Sequence, residues 1–412
     1  MLRTAIVAGL LLAPALHAAE YPDSVVATVS LGGASGPVGV CASPDGGHVY
    51  ASSEFGIVSS VETGGYTVDG TCYIGSELGG ICVTPDGQHL LACNVEESSV
   101  EVIEAGDMQH LATVEVGADP AYIEAVPDGQ RVLLTCNLFQ LWVIETGGWT
   151  VEEVVSVGSS PRGVCALPGG GSACVARSDS YNATLVDLED YGTADLFTGA
   201  DTWDVCCASP DGSLLYFTVP PWDMVKVVDV GTGQVVDEVS GVGDEPLDIC
   251  GLPDGQYLYV SSSETGEVMV LDASQGTVED TVSTGVRPLG ICAHPAGTEV
   301  YVVDNELGEL AVIGGGPTGV ESGDDAGSLR LSLAGASPCV GAVGLELTLF
   351  EPAPVTVRLF DIAGRQLMRR RLGPLPAGCH AIDLTVPASG VFICTAEAEG
   401  DTALLRLVGL SR

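Results

Sequence analysis

Cysteine recurs at one fixed place in this sequence, three residues before a proline that opens a tight turn. Six residues share the place: Cys41, Cys82, Cys165, Cys207, Cys250 and Cys292. A thiol there could act as a nucleophile, a metal ligand, half of a disulfide bond, or a small core side chain. None of the 14 cysteines forms the C-x-x-C pair that is typical of zinc and redox sites. The element that carries the cysteines must therefore decide between these roles.

Other catalytic or metal-binding signatures are weak. Two of the six histidines, His48 and His89, fall four residues past their turn prolines, and the others are isolated. The sequence contains no H-E-x-x-H, G-x-S-x-G, Walker or EF-hand pattern. These observations argue against a metalloprotease, a serine hydrolase of the nucleophile-elbow type and a nucleotide-binding enzyme.

The turn prolines mark a repeat. They are Pro44, Pro85, Pro127, Pro168, Pro210, Pro253 and Pro295, separated by 41, 42, 41, 42, 43 and 42 residues. Each copy divides into four short, apolar strands joined by Pro-x-Gly turns and glycine-rich hairpins. Four strands every 42 residues or so predict a β-propeller blade. We therefore expect an all-β, seven-bladed propeller.

The two ends of the repeat array explain how such a ring would close. The seventh copy stops after its third strand, at residues 310–314, while residues 25–32 have the pattern of a fourth strand without a partner. A strand left open at the edge of a sheet invites pairing with other chains. The sequence thus predicts that the N-terminal strand completes the last blade.

The repeat also assigns the cysteines. In a propeller the first strand of each blade is innermost, where blades converge and small side chains are needed. Equivalent residues point the same way around the ring, so they do not face one another as a disulfide requires. We expect the six cysteines to be buried free thiols. Disulfide bonds that involve Cys72, or that form among Cys339, Cys379 and Cys394, are kept as alternatives, because the oxidising environment outside the cell permits them.

The repeat unit resembles a known family. The pattern V-x-V-G-x-x-P-x-G-[VI]-x-x-x-P-D-G-x-x-[VL]-Y-V, as in 282–302 and 154–175, is similar to the YVTN-type repeats of secreted seven-bladed propellers. The resemblance covers residues 24 to 314. It implies the propeller fold and surface-layer or binding roles, and the relatives include lactonases and cofactor-bearing dehydrogenase subunits.

The segments outside the propeller predict export. Residues 1–19 combine Arg3, an apolar run and small residues near Ala18, which is typical of a cleaved signal peptide. We place the propeller at 20–314 and a glycine- and acid-rich linker at 315–328. Strand patterns between 329 and 412 then predict a small Ig-like β-sandwich.

The C-terminal region resembles the sorting domain of the type IX secretion system. Three segments carry the similarity: Val357 to Arg365 with its D-x-x-G-R turn, Leu375 to His380, and Ser389 to Phe392. The region departs from the family at Ser337-Pro338, where the family usually has Asn-Pro. The resemblance implies export across an outer membrane, with the domain serving for secretion or surface attachment.

Charge is uneven along the chain. Residues 20–316 contain 45 acidic residues against five basic ones, and the whole chain has a net charge of −41. So acidic a domain repels phosphate backbones, which excludes nucleic acid as a partner. We expect instead a protein, a peptide or a small polar ligand at the propeller, and the secretion machinery at the C-terminal domain.

The candidate site consists of residues that break the repeat where the first strands begin. Tyr122 and Asp248 stand where most blades have glycine, and Glu124 replaces the cysteine of blade three. Together with loop residues they would surround one mouth of the axial channel: Tyr122, Glu124, Arg162, Trp203, Asp204, Asp248 and Arg287. Propellers commonly bind ligands there, because loops from every blade converge. The alternative is a structural cluster in which the arginines only neutralise acids.

The sequence favours a secreted or surface-attached, non-catalytic binding scaffold over an enzyme. It predicts no cofactor, although several carboxylates at one mouth could hold Ca²⁺. The rival prediction is a hydrolase or lactonase with Glu124 or Asp248 as general base, assisted by a metal or not. The mature chain is expected to have no transmembrane anchor.

Overall fold

A computed structural model describes residues 21–32, 36–136, 139–178, 182–197 and 204–315, and the strands between 329 and 410. Residues Tyr21–Gly314 form one compact unit, and the strands after Gly315 belong to a second. In the described residues, no helix has the length and apolar character needed to cross a membrane.

The first unit consists of seven four-stranded antiparallel sheets, which we number as blades one to seven, each given from its innermost to its outermost strand. Blade one comprises Pro37–Ala42, His48–Ser53, Ile57–Glu62 and Thr67–Tyr73, and blade two comprises Leu78–Val83, His89–Asn94, Ser99–Glu104 and Gln109–Glu115. Blade three comprises Pro120–Ala125, Arg131–Cys136, Gln140–Glu145 and Thr150–Ser156, and blade four comprises Pro161–Ala166, Ser172–Arg177, Asn182–Asp187 and Thr193–Phe197. Blades five to seven comprise Cys206–Ala208, Leu214–Val219, Met224–Asp229, Gln234–Ser240; Pro246–Gly251, Tyr257–Ser262, Glu267–Asp272, Thr277–Ser283; and Pro288–Ala293, Glu299–Asp304, Glu309–Gly314, Ser24–Ser30. A 3₁₀ turn at Pro220–Trp222 interrupts blade five.

The Pro-Asp-Gly turns are built by their aspartates. In blade one, Asp45 Oδ1 accepts hydrogen bonds from Ser43 Oγ at 2.6 Å and from the Gly47 N–H at 2.9 Å. Gly46 has a φ of 73°, a backbone region that favours glycine. Because the aspartate satisfies the turn amide and the glycine supplies the left-handed residue, this short sequence reverses the chain in each blade that carries it.

The N-terminal strand closes the ring, as the sequence predicted. Ser24–Ser30 pairs antiparallel with Glu309–Gly314 and so becomes the outermost strand of blade seven. The Tyr259 hydroxyl of blade six donates a 2.7 Å hydrogen bond to the carbonyl of Pro22 just before that strand. Main-chain hydrogen bonds therefore hold the segment that precedes blade one in the sheet of the last blade.

The innermost strands approach one another closely where they carry glycine. A Cβ placed on Gly290 of blade seven would lie 2.5 Å from the Val38 carbonyl oxygen of blade one. A Cβ on Gly163 of blade four would lie 2.6 Å from the Cα of Val205. Real Cβ atoms do not approach a backbone this closely, so glycine at this position lets adjacent blades come together around the axis.

Aliphatic side chains fill the spaces between blades. Between blades three and four, for example, Leu133 and Val143 pack in one buried cluster with Val175 and Val186. Comparable clusters join the other blades. Burial of apolar surface between neighbouring sheets thus holds the blades together around the ring, while hydrogen bonds join the strands within each blade.

The second unit contains two sheets. Leu329–Leu333, Ala342–Leu349 and Gly378–Thr385 form one, and Cys339–Val340, Ala353–Asp361, Gln366–Leu375, Gly390–Ala398 and Asp401–Leu410 form the other. The sequence did not predict Gln366–Leu375, because three consecutive arginines interrupt its apolar pattern.

The glycine contacts lead to a stability prediction. Gly290→Ala should lower the free energy of unfolding by about 1–3 kcal/mol, because its Cβ would collide with the Val38 carbonyl of the next blade. Gly106→Ala is the control, since a Cβ at Gly106 would meet nothing within 4 Å. Urea denaturation measures both, and equal stability of the two variants would contradict the close approach.

Candidate functional site at the channel mouth

Glu124 lies on the innermost strand of blade three, at the position of the repeated cysteine. The backbone N–H of Ala166 in blade four acts on its carboxylate and favours a lower pKa. The side chain is half-buried. Desolvation raises the pKa of Glu124 to about 8, and the negative charge of Asp248 adds to the rise.

Asp248 occupies the glycine position on the innermost strand of blade six. Its Oδ1 accepts the N–H of Ile249 at 2.9 Å, and its Oδ2 accepts the N–H of Ile291 in blade seven, also at 2.9 Å. Burial raises the pKa of Asp248 to about 6, and these hydrogen bonds partly oppose the rise. The carboxylate therefore bridges two blades where glycine elsewhere permits direct contact.

An arginine and an aspartate from blades four and five form an ion pair nearer the mouth. Arg162 Nε donates to Asp204 Oδ1 at 2.6 Å. The Asp204 side chain is 10% exposed and that of Arg162 is 45% exposed, so the arginine covers the buried acid. The guanidinium carbon also lies 5.7 Å from the centre of the Tyr122 ring, within range of a cation–π contact.

These five residues form one electrostatic cluster, which we name the mouth cluster: Tyr122, Glu124, Arg162, Asp204 and Asp248. Asp204 acts on the pKa values of both Tyr122 and Asp248, and Asp248 acts on that of Glu124. Glu124 lies two residues further along its strand than Tyr122, about 7 Å deeper in the channel. The cluster thus contains three carboxyl groups and a single guanidinium, which pairs with Asp204 alone, and the cluster favours positive charge.

The remaining two predicted site residues are placed differently. Arg287 is exposed in the loop before the innermost strand of blade seven, where its Nη1 donates to Asn305 Oδ1 at 3.4 Å. Within the described residues, no contact joins it to the mouth cluster. Trp203 lies outside the described residues.

The structure corrects the expectation that all six repeated cysteines of the innermost strands are buried. All eleven cysteines of the described propeller residues are free thiols, and Cys82 and Cys165 are buried as predicted. Cys41, Cys207, Cys250 and Cys292 are only half-buried. The seven innermost strands leave a channel that small thiols do not fill, so part of each side chain stays exposed to it. Burial among neighbouring thiols still raises the pKa of Cys41 well above its usual range.

Sequence reasoning missed a second thiol cluster. The Sγ atoms of Cys206 and Cys165 are 3.3 Å apart, and Cys206 also contacts the carbonyl of Cys174. The sequence feature that could have revealed this cluster is the adjacent pair Cys206-Cys207. Successive strand residues point to opposite faces, so Cys206 must face blade four while Cys207 faces the other way.

Metal coordination is not apparent in the part of the chain that the structure describes. No set of three or more His, Cys, Asp or Glu side chains there is arranged to hold a metal ion. The two histidines at equivalent turns have other contacts: His48 Nε2 lies 3.0 Å from Asp69 Oδ2, and His89 packs edge-on against Trp149.

Comparison with known proteins supports the fold. No protein-family profile matches the chain, and no curated protein is similar to it in sequence. Among solved structures it is similar to a chain of hydrazine synthase from Kuenenia stuttgartiensis, with a TM-score of 0.63 and 21% identity. The similarity covers 68% of this chain and 96% of that one. At this identity the likeness shows a shared β-propeller fold and nothing of the function.

The raised pKa of Glu124 predicts how stability depends on pH. A carboxyl that titrates near pH 8 when folded and near 4.3 when unfolded binds its proton more tightly in the folded state. Its contribution is therefore present at low pH and is lost as pH rises through about 8. In urea denaturation at pH 6 and 9, Glu124→Gln should lose less stability over this interval than the unaltered protein.

A matched variant controls for the general acidity of the chain. Glu264→Gln removes an exposed carboxylate from a hairpin of blade six and should keep the original pH dependence. Identical slopes in all three proteins would mean that Glu124 does not titrate in this range.

Proposed function

We propose that this protein is an exported, non-catalytic scaffold whose channel mouth binds a small polar ligand or a cationic side chain of a peptide. The observation that carries the proposal is the mouth cluster, in which Asp204 of the Arg162–Asp204 pair acts on Asp248, and Asp248 acts on Glu124. Converging loops and a polar funnel are usual features of propeller binding sites. The excess of carboxyl groups selects for positive charge.

Protonation would tune this binding. Near neutral pH Glu124 is mainly protonated and Asp248 mainly ionised, given pKa values of about 8 and about 6. A bound cation favours the ionised form of both, so binding would release protons. The affinity for a cation should therefore rise between pH 5 and pH 9.

Export is part of the same proposal. The signal-like residues 1–19 and the sorting-domain resemblance of residues 329–412 support it, as does the YVTN-type pattern of the propeller. The two sheets of the second unit are compatible with an Ig-like sandwich. In this proposal the C-terminal domain engages the secretion machinery, and the acidic propeller is released or kept at the cell surface.

The alternative is a hydrolase or lactonase that uses the same carboxyls. The observation in its favour is that two carboxyl groups with different raised pKa values, about 8 and about 6, lie in one channel. Such pairs can divide the roles of general acid and general base. The Asp248 oxygens already accept two backbone N–H groups, which suits a fixed electrostatic role better than proton transfer.

The binding proposal is tested with tripeptides that differ only in a central lysine or glutamate. Isothermal titration should show binding of the lysine peptide alone, tighter at pH 9 than at pH 6. Asp248→Asn should weaken it about tenfold, while Asp254→Asn, in the turn of the same blade, should not. Equal binding of both peptides would exclude the proposal. The alternative is tested by measuring hydrolysis of a panel of lactones with and without calcium chloride. It requires that the protein hydrolyses a lactone and that Glu124→Gln abolishes this activity.

The export proposal predicts the ends of the mature protein. Mass spectrometry of the protein recovered from the outside of its native cells should show an N-terminus near residue 20, after removal of the signal. A C-terminus near the 315–328 linker indicates that the sorting domain is processed. An intact Met1 together with Arg412 would contradict both export signals.

A further inference from the structure

A cavity of about 530 Å³ opens between blades one and two, on the face of the Pro-Asp-Gly turns. This face lies at the opposite end of the innermost strands from the Arg162–Asp204 pair of the mouth cluster. The cavity is bordered by side chains of both blades, among them Tyr50, Ser60 and Met108. We propose that it binds an aliphatic di- or triamine.

The cavity exists because blade one departs from the repeat. The strand register places Ser60 opposite Tyr50 on one side and opposite Gly70 on the other. At the position of Ser60 the other six blades have larger aliphatic residues: Val102, Val143, Leu185, Val227, Val270 and Val312. Ser60 and Gly70 therefore remove side-chain volume at one blade interface only.

The geometry at Gly70 shows which way these side chains face. A Cβ on Gly70 would lie 2.7 Å from Met108 Cγ of blade two and 3.5 Å from Ser60 Cβ. Gly70 and Ser60 thus share the sheet face that looks toward blade two. Met108 extends into the space that they leave and forms an apolar wall of the cavity.

Two largely buried residues contribute hydroxyl groups to the lining of the cavity. Tyr50 and Ser60 are each only 3% exposed, and both border the cavity. Among the described residues, neither hydroxyl makes a hydrogen bond. Neither oxygen is among the fully enclosed atoms without a partner, so each is accessible from the cavity and can accept an N–H group that enters it. Burial raises the pKa of Tyr50 to about 12, which keeps its hydroxyl protonated.

The rim of the cavity is negatively charged. Asp45, Asp69, Asp86 and Asp107 border it together with His48, which contacts Asp69, and no described lysine or arginine does. Hydrogen bonds from Ser43 and from Thr84 lower the pKa of Asp45 and Asp86, so both stay ionised at neutral pH.

The spacing of these carboxylates favours an extended organic cation over a metal ion. In the described residues they belong to no set of three that converges on a metal. An aliphatic diamine matches all three features: separated ammonium groups for the rim, methylenes for Met108, and N–H donors for Tyr50 and Ser60.

The full-length protein is titrated calorimetrically with spermidine and 1,4-diaminobutane, with n-butylamine and magnesium chloride as comparisons. We expect one site for the di- and triamine, at least tenfold weaker binding of butylamine, and no competition from magnesium at equal ionic strength. Ser60→Val fills the cavity with the residue of most other blades. It should weaken diamine binding at least tenfold and keep or raise the melting temperature.

A matched pair of turn variants distinguishes binding in this cavity from non-specific binding to the acidic surface. Asp86→Asn should weaken binding about fivefold or more, whereas Asp254→Asn makes the same change in the turn of blade six and should have no effect. Asp248→Asn at the channel mouth should also leave it unchanged, so failure of one site is distinguishable from failure of the other. Undiminished binding to Ser60→Val, or equal losses with Asp86→Asn and Asp254→Asn, would overturn the proposal.

Discussion

The close approach of seven innermost strands around one axis is the constraint on which the rest of this structure depends. Each strand must pass a neighbour within a distance that a Cβ would obstruct, as at Gly163 and Gly290. The ring must also close, which the pairing of Ser24–Ser30 with Glu309–Gly314 achieves. Once these conditions hold, apolar burial between sheets follows from ordinary strand alternation.

The close approach of the innermost strands explains the contacts of the residues that depart from the repeat. Where glycine is replaced by Asp248, the new side chain cannot lie between the strands without partners. It accepts two backbone N–H groups instead, one from its own blade and one from the next. Glu124, in place of a thiol, is acted on by a backbone N–H of blade four, which favours a lower pKa. The carboxyl groups of the channel thus also make contacts between neighbouring blades.

The acidic side chains at the two ends of the channel lie in different environments, which shift their pKa values in opposite directions. At the mouth, a few acids are desolvated, which raises their pKa values and leaves them responsive to a cation. On the turn face, aspartates are solvated and held by turn hydrogen bonds, which lower their pKa values at Asp45, Asp86 and Asp211. Desolvation and hydrogen bonding shift the same functional group in opposite directions.

The sequence by itself determined the propeller, the number of blades and the closing strand, because a 42-residue period with fixed turn chemistry leaves one arrangement of strands. It also singled out Glu124 and Asp248, because each breaks an otherwise regular position. Only the tertiary structure decided that Asp204 pairs with Arg162, that Arg287 stands apart, and that four of the ring thiols are half-exposed. The cavity beside Ser60 was likewise invisible, because these outcomes depend on distances between blades, and a sequence repeat fixes the order of blades but not the space between their side chains.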